Sequence, residues 1–228
     1  MKNLKSRVIK HYFPLVLVSI IIGVIFHFIW TKKDLITLIA DVSGYIAIVI
    51  LSISLLLGSI NILFKRKNPV SSYFRRDISI TGGILAVIHS ITGLFVHFRG
   101  NMWQYFLAKT NSGYSIRLDD FGLANYTGLI STILIILLLA TSNDYSIGKL
   151  KTGNWKNIQR LTYLMFIFAI VHVIYYRLNN FDLVYYFYIP MISVVLILQT
   201  VGIFLRIKLK KSGETEKLIQ KTTRINEK

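Results

Sequence analysis

Six long apolar stretches constrain this chain more than any other feature. They run Tyr12–Trp30, Leu35–Phe64, Ile78–Phe98, Phe121–Thr141, Leu161–Tyr176 and Leu183–Leu205. A helix needs about 20 apolar residues to cross about 30 Å of hydrocarbon. Most of the six meet that length, and the fifth does so by extending from Ile158 to Arg177. The second is long enough to tilt or to start in the interface. Backbone groups in lipid must bond within their own segment, so helices are the expected form. The composition agrees, with 54% hydrophobic and 16% charged residues, where a water-soluble domain carries about 25% charged. The expected fold is all-α: a polytopic membrane protein with six transmembrane helices. It comprises a short N-terminus (1–11), a transmembrane domain (12–205) and a basic tail (206–228).

The 27 Lys and Arg against 10 Asp and Glu read as a record of orientation rather than of nucleic acid, since nothing aromatic interleaves the basic tail. With the N-terminus cytoplasmic, segments 1–12, 65–77, 142–160 and 206–228 hold 21 basic residues and the opposite segments hold 6. That asymmetry predicts N-in and C-in, with a multi-pass location in a bacterial cytoplasmic membrane. Trp30, Trp103, Tyr105, Tyr175, Tyr176, Tyr185, Tyr186 and Tyr188 gather toward the outer side as an interfacial belt. The first span lacks a small-x-small cleavage site before Thr31 and is read as uncleaved. The tail is expected to lie on anionic lipid. No internal repeat is evident. The outer loop 99–120 is the longest connection and is expected to cap the outer face or meet a partner.

The chain has no cysteine, which excludes disulfides, Fe–S clusters, thiolate zinc sites and thioether-linked haem. Chemistry then falls to five histidines. His11, His27 and His97 lie at span ends, where an imidazole needs no special role. His89 and His172 differ. His89 is 13 residues beyond Arg76, about 20 Å along a helix, and His172 is 12 beyond Arg160, about 18 Å. Both spans rise in the same direction, so the two imidazoles reach one level in the outer half of the membrane. Two neutral imidazoles at one depth on two helices suit bis-histidine ligation of a haem b iron. Two buried histidines bonded to span hydroxyls give the same spacing without a cofactor.

Gly82, Ala86, His89 and Gly93 share one helix face. The small residues would leave a slot for a flat macrocycle, and they equally suit close helix packing. Met165, Ala169, His172 and Tyr176 share a face of the fifth span. Arg99 and Arg177, at the outer ends of the same two spans, would neutralise haem propionates or simply snorkel to the interface.

Arg75-Arg76 followed by His89, Leu-Ala-Thr-Ser at 139–142, and Trp155-Lys-Asn-Ile-Gln-Arg-Leu-Thr-Tyr163 leading to His172 together resemble the ferric reductase-like transmembrane superfamily. The likeness covers roughly residues 40–205 and is strongest to the haem-binding membrane subunits of bacterial methionine sulfoxide reductase systems. The resemblance implies a b-type haem on the histidines of the third and fifth spans, here His89 and His172, and electron passage across the membrane. It implies acceptors such as a sulfoxide reductase partner, ferric iron or a flavoprotein. One departure stands out: the family motif Trp-x-x-Leu-His-Arg-Leu has Gln159 in place of its histidine, ahead of Arg160-Leu161. Glutamine is a poor haem ligand, and the inner level of the third span offers only Ser79 and Ile80. One haem toward the outside is expected; a second would need His11 as a substitute ligand.

No strand–Gly-x-Gly-x-x-Gly–helix unit follows the last span. Electrons are therefore expected from a membrane quinol, a separate flavoprotein or a bound flavin such as FMN, and the chain reads as an electron-transfer subunit rather than a complete enzyme. Two other classes stay open. A small-solute transporter or assembly subunit would use Asp41, Asn61, Asn125 and Thr127, though these form no midplane charged site. A haem sensor would need an open axial position.

Overall fold

A computed structural model of the chain describes residues 4–64, 72–99, 101–111, 113–178, 181–211 and 213. The principal helices are α1 (Phe13–Ile29), α2 (Leu35–Leu63), α3 (Ser72–Gly93), α4 (Asp120–Thr141), α5 (Asp144–Gln159), α6 (Leu161–Tyr176) and α7 (Ile189–Lys211). Helix α1 continues upstream through a π-helical turn, Val8–Tyr12, and α7 is preceded by another, Val184–Tyr188. Pro14 sits in the first turn of α1, where its missing N–H costs nothing. The tail reading for 206–228 falls largely outside the described residues, although α7 carries the chain to Lys211.

Among the described residues, five helical segments are long and apolar enough to cross a membrane: Lys5–Ile29, Leu35–Leu63, Asp120–Thr141, Asp144–Tyr176 and Val184–Lys208. The protein is thus a multi-pass, mainly helical membrane protein. The expected third crossing behaves differently. Helix α3 has 22 residues, but it begins with Arg75, Arg76 and Asp77 and carries Thr, Gly, Ser and His along its length. The reason lies in its neighbours. Helix α3 packs against α2 and α4 and meets α1, and Asp77, Ile78, Thr81, Gly82 and Gly83 are buried. A helix with one face packed on protein has no need to be apolar all round, and the exposed face of α3 keeps Ile84, Ile88 and Ile91. It also stops at Gly93, short of the expected Phe98, because a turn takes over there, with Phe95 N–H donating to Thr92 O at 2.9 Å.

Two antiparallel helix pairs form the centre. Contacts run from Ala40 with His89, through Ile50 with Gly82, to Gly58 with Arg75 in the α2–α3 pair. In the α4–α6 pair they run from Ala124 with His172 to Ser131 with Met165. Helices α3 and α4 join the pairs through Ser90–Thr132 (2.7 Å between hydroxyls) and through Leu139 packed on Gly83. Helix α7 lies along α2, and Gln199 Nε2 donates to Leu55 O. Several serines and threonines in these helices return their hydroxyls to the preceding turn, as Ser52 does to Ile48 O at 2.7 Å, which satisfies those hydroxyls inside an apolar interior. The outward faces of α1, α6 and α7 carry large exposed apolar side chains, the surface that lipid would cover.

The loop expected over 99–120 contains structure the sequence did not announce. A 3₁₀ turn (Met102–Tyr105) leads to a two-stranded antiparallel hairpin, β1 (Leu107–Thr110) and β2 (Gly113–Ile116), paired Leu107 to Ile116. Gly113 takes φ +128° at the turn, a conformation that favours glycine. The hairpin leads into α4, capped by Asp119, whose carboxylate accepts Gly122 N–H at 2.7 Å. Slight burial works against the Asp119 charge, but the Gly122 N–H and the Arg117 guanidinium outweigh it and hold the carboxyl below its ordinary range.

Candidate functional site

His89 and His172 meet in the middle of the two helix pairs. Their ring centroids are 6.0 Å apart, with the ring planes at 70°. Each ring is held the same way by a different helix. His89 Nδ1 lies 2.7 Å from Ala40 O, and His172 Nδ1 lies 2.8 Å from Ala124 O. A carbonyl can only accept, so each Nδ1 must carry the proton. Each Nε2 is then left with a free lone pair, which is the form a metal takes.

Each ring also rests on a glycine. A Cβ added at Gly44 would lie 2.7 Å from His89 Nδ1, and one added at Gly128 would lie 2.7 Å from His172 Nδ1. Both distances are too short for any real side chain. The glycines therefore allow imidazoles to lie flat against α2 and α4 and reach the carbonyls four residues earlier.

The pair opens into a cavity of about 310 Å³ between the four helices. Leu51, Ile135 and the almost fully buried Met165 close one end. Asp41, Tyr45, Tyr176, Arg177 and Tyr188 surround the end nearer the hairpin. Arg177 donates to Tyr45 OH at 2.7 Å and lies 3.7 Å from Asp41, which also pairs with Lys33.

The other sequence candidates divide. Ala86 and Gly93 line the cavity, and a Cβ on Gly93 would meet nothing within 4 Å. Gly82 does not line it; Ile50 and Leu51 press on it, with atoms 3.0 Å from where its Cβ would be. Its small size serves helix packing. Arg177 lines the cavity, whereas Arg99 does not. Arg99 donates to Phe95 O at 2.8 Å and pairs with Asp34. His97 also lies off the cavity, with Nε2 bonded to Tyr176 OH and its backbone N–H donating to Tyr105 OH at 3.0 Å.

At the opposite end of the bundle, Gln159 Nε2 donates to Thr141 Oγ1 at 3.1 Å, and Trp155 Nε1 donates to Thr141 O at 2.9 Å. Together they close the end of α4. The space between that level and the cavity is filled by Leu51, Ile135, Leu138 and Met165. His11, the alternative ligand for that level, is turned elsewhere: its Nδ1 lies 2.6 Å from Asp77 Oδ2. Asp77 was not singled out from the sequence, yet its side chain is completely buried and also accepts from Arg7 Nε at 3.2 Å and Tyr12 OH at 2.8 Å.

Span and depth place the two histidines at one level but do not show what holds them. The signal was present as Ala40-x-x-x-Gly44 and Ala124-x-x-x-Gly128, but a small-residue pair four apart is common in membrane helices, and only the fold shows which imidazole each one meets.

The family model described as ferric reductase like transmembrane component matches residues 43–170. That match runs from one residue before Gly44, through His89, to two residues before His172. No curated protein matches the chain.

Proposed function

The chain belongs to the ferric reductase-like transmembrane component family, and on that premise we propose that it carries electrons through the membrane on one b-type haem held between His89 and His172. The observation that carries this reading is the pair of imidazoles with both Nδ1 atoms engaged and both Nε2 atoms free, 6.0 Å apart between centroids. Two imidazoles this close, each with Nε2 available, would together hold one iron. Two nitrogens alone hold a bare ion poorly, and the described residues contain no cluster of three or more His, Asp or Glu. A porphyrin supplies the four remaining ligands itself, and the iron it carries changes oxidation state by one electron.

The protein's own part is positioning and electrostatics. The carbonyls of Ala40 and Ala124 fix both tautomers. The largely apolar walls would keep water from a bound haem, whose potential the two imidazoles and burial would then tune. Arg177, lining the cavity beside Tyr45, is placed to neutralise propionates. In this reading α3 forms the sixth crossing, its polar residues turned inward, with N- and C-termini cytoplasmic and the haem in the outer half. Electrons arrive from a quinol or flavin donor and leave to an extracytoplasmic acceptor: a reductase partner such as a sulfoxide reductase, ferric iron or a flavoprotein.

The absorption spectrum of detergent-solubilised protein, expressed with ample haem and reduced with dithionite, tests this directly. A sharp low-spin b-type spectrum at one haem per chain is expected. A colourless preparation would sink the proposal and leave the transporter class. Gln159→His gives a second test of stoichiometry. The packing of Leu51, Ile135, Leu138 and Met165 leaves the inner level filled, so the variant is expected to stay at one haem per chain. A rise to two by pyridine haemochrome assay would show that the inner level can open.

A further inference from the structure

The two helix pairs are copies of one design. In the first, Ala40 O and Gly44 on the descending helix seat His89 on the returning one; in the second, Ala124 O and Gly128 seat His172. The hydrogen bonds agree to 0.1 Å, at 2.7 and 2.8 Å, and the Cβ approaches are both 2.7 Å. Three residues before each histidine stands an alanine, Ala86 or Ala169, and both line the cavity. One residue after each seating alanine the copies diverge, with Asp41 in the first and Asn125 in the second. No repeat is evident in the sequence, because residues away from the seats share little.

We infer that Gly44 and Gly128 are positioning residues of an internally duplicated seat that presents two equivalent imidazoles to the two faces of one flat ligand, so that neither face is left open to a third. The inference rests on the haem reading and goes beyond it: it assigns the site to electron relay and excludes a ligand-sensing role, through residues that never touch the iron. A methyl group at Gly44 must displace the His89 ring or part the helices, since the atoms it meets at 2.7, 3.0 and 3.2 Å all belong to that ring. The same holds for Gly128 and His172.

The test has a cofactor-loaded arm and a cofactor-free arm. In the loaded arm, dithionite-reduced wild-type protein is expected to show no spectral change with carbon monoxide. Gly44→Ala and Gly128→Ala are each expected to lose the low-spin spectrum and gain a carbon monoxide difference signal at least fivefold above wild type. Gly82→Ala, where the added Cβ meets Ile50 and Leu51 instead, is expected to stay silent. A wild type that binds carbon monoxide, seat variants that do not, or a Gly82→Ala that responds equally would each overturn the inference. In the cofactor-free arm, Gly44→Ala is expected to lower the melting temperature of apoprotein in detergent, and to lower it less than half as much in a His89→Ala background, because the clashing ring is gone. Equal losses in both backgrounds would overturn the seat. If no preparation ever takes up haem, the proposed function fails, while the apoprotein cycle still decides the seat.

Discussion

His89→Ala and His172→Ala are each expected to reduce bound haem from one per chain to less than a tenth of that, while the protein still inserts and accumulates in the membrane. Both rings sit between the two helix pairs, and among the described residues they are the two imidazoles that line the cavity. Loss of either leaves a single imidazole in the cavity. Accumulation should survive, because each imidazole bonds a single carbonyl and the helices are held by many other contacts. His97→Ala makes the informative comparison. Its ring bonds Tyr176 and packs near Tyr105 and Phe121, off the cavity, so at least four-fifths of the haem should remain. Pyridine haemochrome titration of the purified variants decides the matter. Retention of haem in both His89→Ala and His172→Ala would end the electron-transfer reading.

Asp77→Asn is expected to cost about 3–5 kcal/mol of stability, the usual consequence of leaving a buried ionic cluster with one partner missing. Asp77 has no exposed side-chain surface and receives Arg7, His11 and Tyr12 together. Those three come from the start of the α1 segment, where the π-helical turn Val8–Tyr12 shifts the register so that they reach one carboxylate. Helix α1 itself buries no residue, and its other fastening is Leu15, Ile22, Phe26 and Trp30 against the α2–α3 core. An asparagine there keeps one acceptor but turns an amide toward a guanidinium, so the N-terminal segment should detach. Limited proteolysis should cleave before residue 13 at least tenfold faster than in wild type, with haem content unchanged because the cluster lies apart from the cavity. Equal cleavage rates and an unchanged melting temperature would show that α1 is held by its apolar contacts alone.

These two expectations draw on different sources. The histidines were accessible from sequence because depth along a membrane helix is a one-dimensional quantity: 1.5 Å per residue from a charged boundary sets two imidazoles level before any packing is known. Asp77 offered no such handle. It sits beside Arg75 and Arg76 at a span end, where a charge looks solvated, and its burial depends on a segment 65 residues and more away folding over it. The third crossing illustrates the same limit. Hydropathy grades a helix against lipid, whereas α3 is graded by α2 and α4, so its polar content records neighbours and not solvent.

By itself the amino-acid order determined the class of the fold, the positions of most helices, the bias of positive charge and the level at which His89 and His172 stand. Each of these follows from apolar length, helical rise or charge count, and none requires knowing what touches what. Only the tertiary structure decided the tautomer of each imidazole, the glycines that seat them, the sorting of Arg177 from Arg99 and of Ala86 from Gly82, and the partnership of His11 with Asp77. Those depend on which faces of distant helices meet, a matter of close packing at the scale of a single methyl group, and such contacts leave no period in the sequence to read.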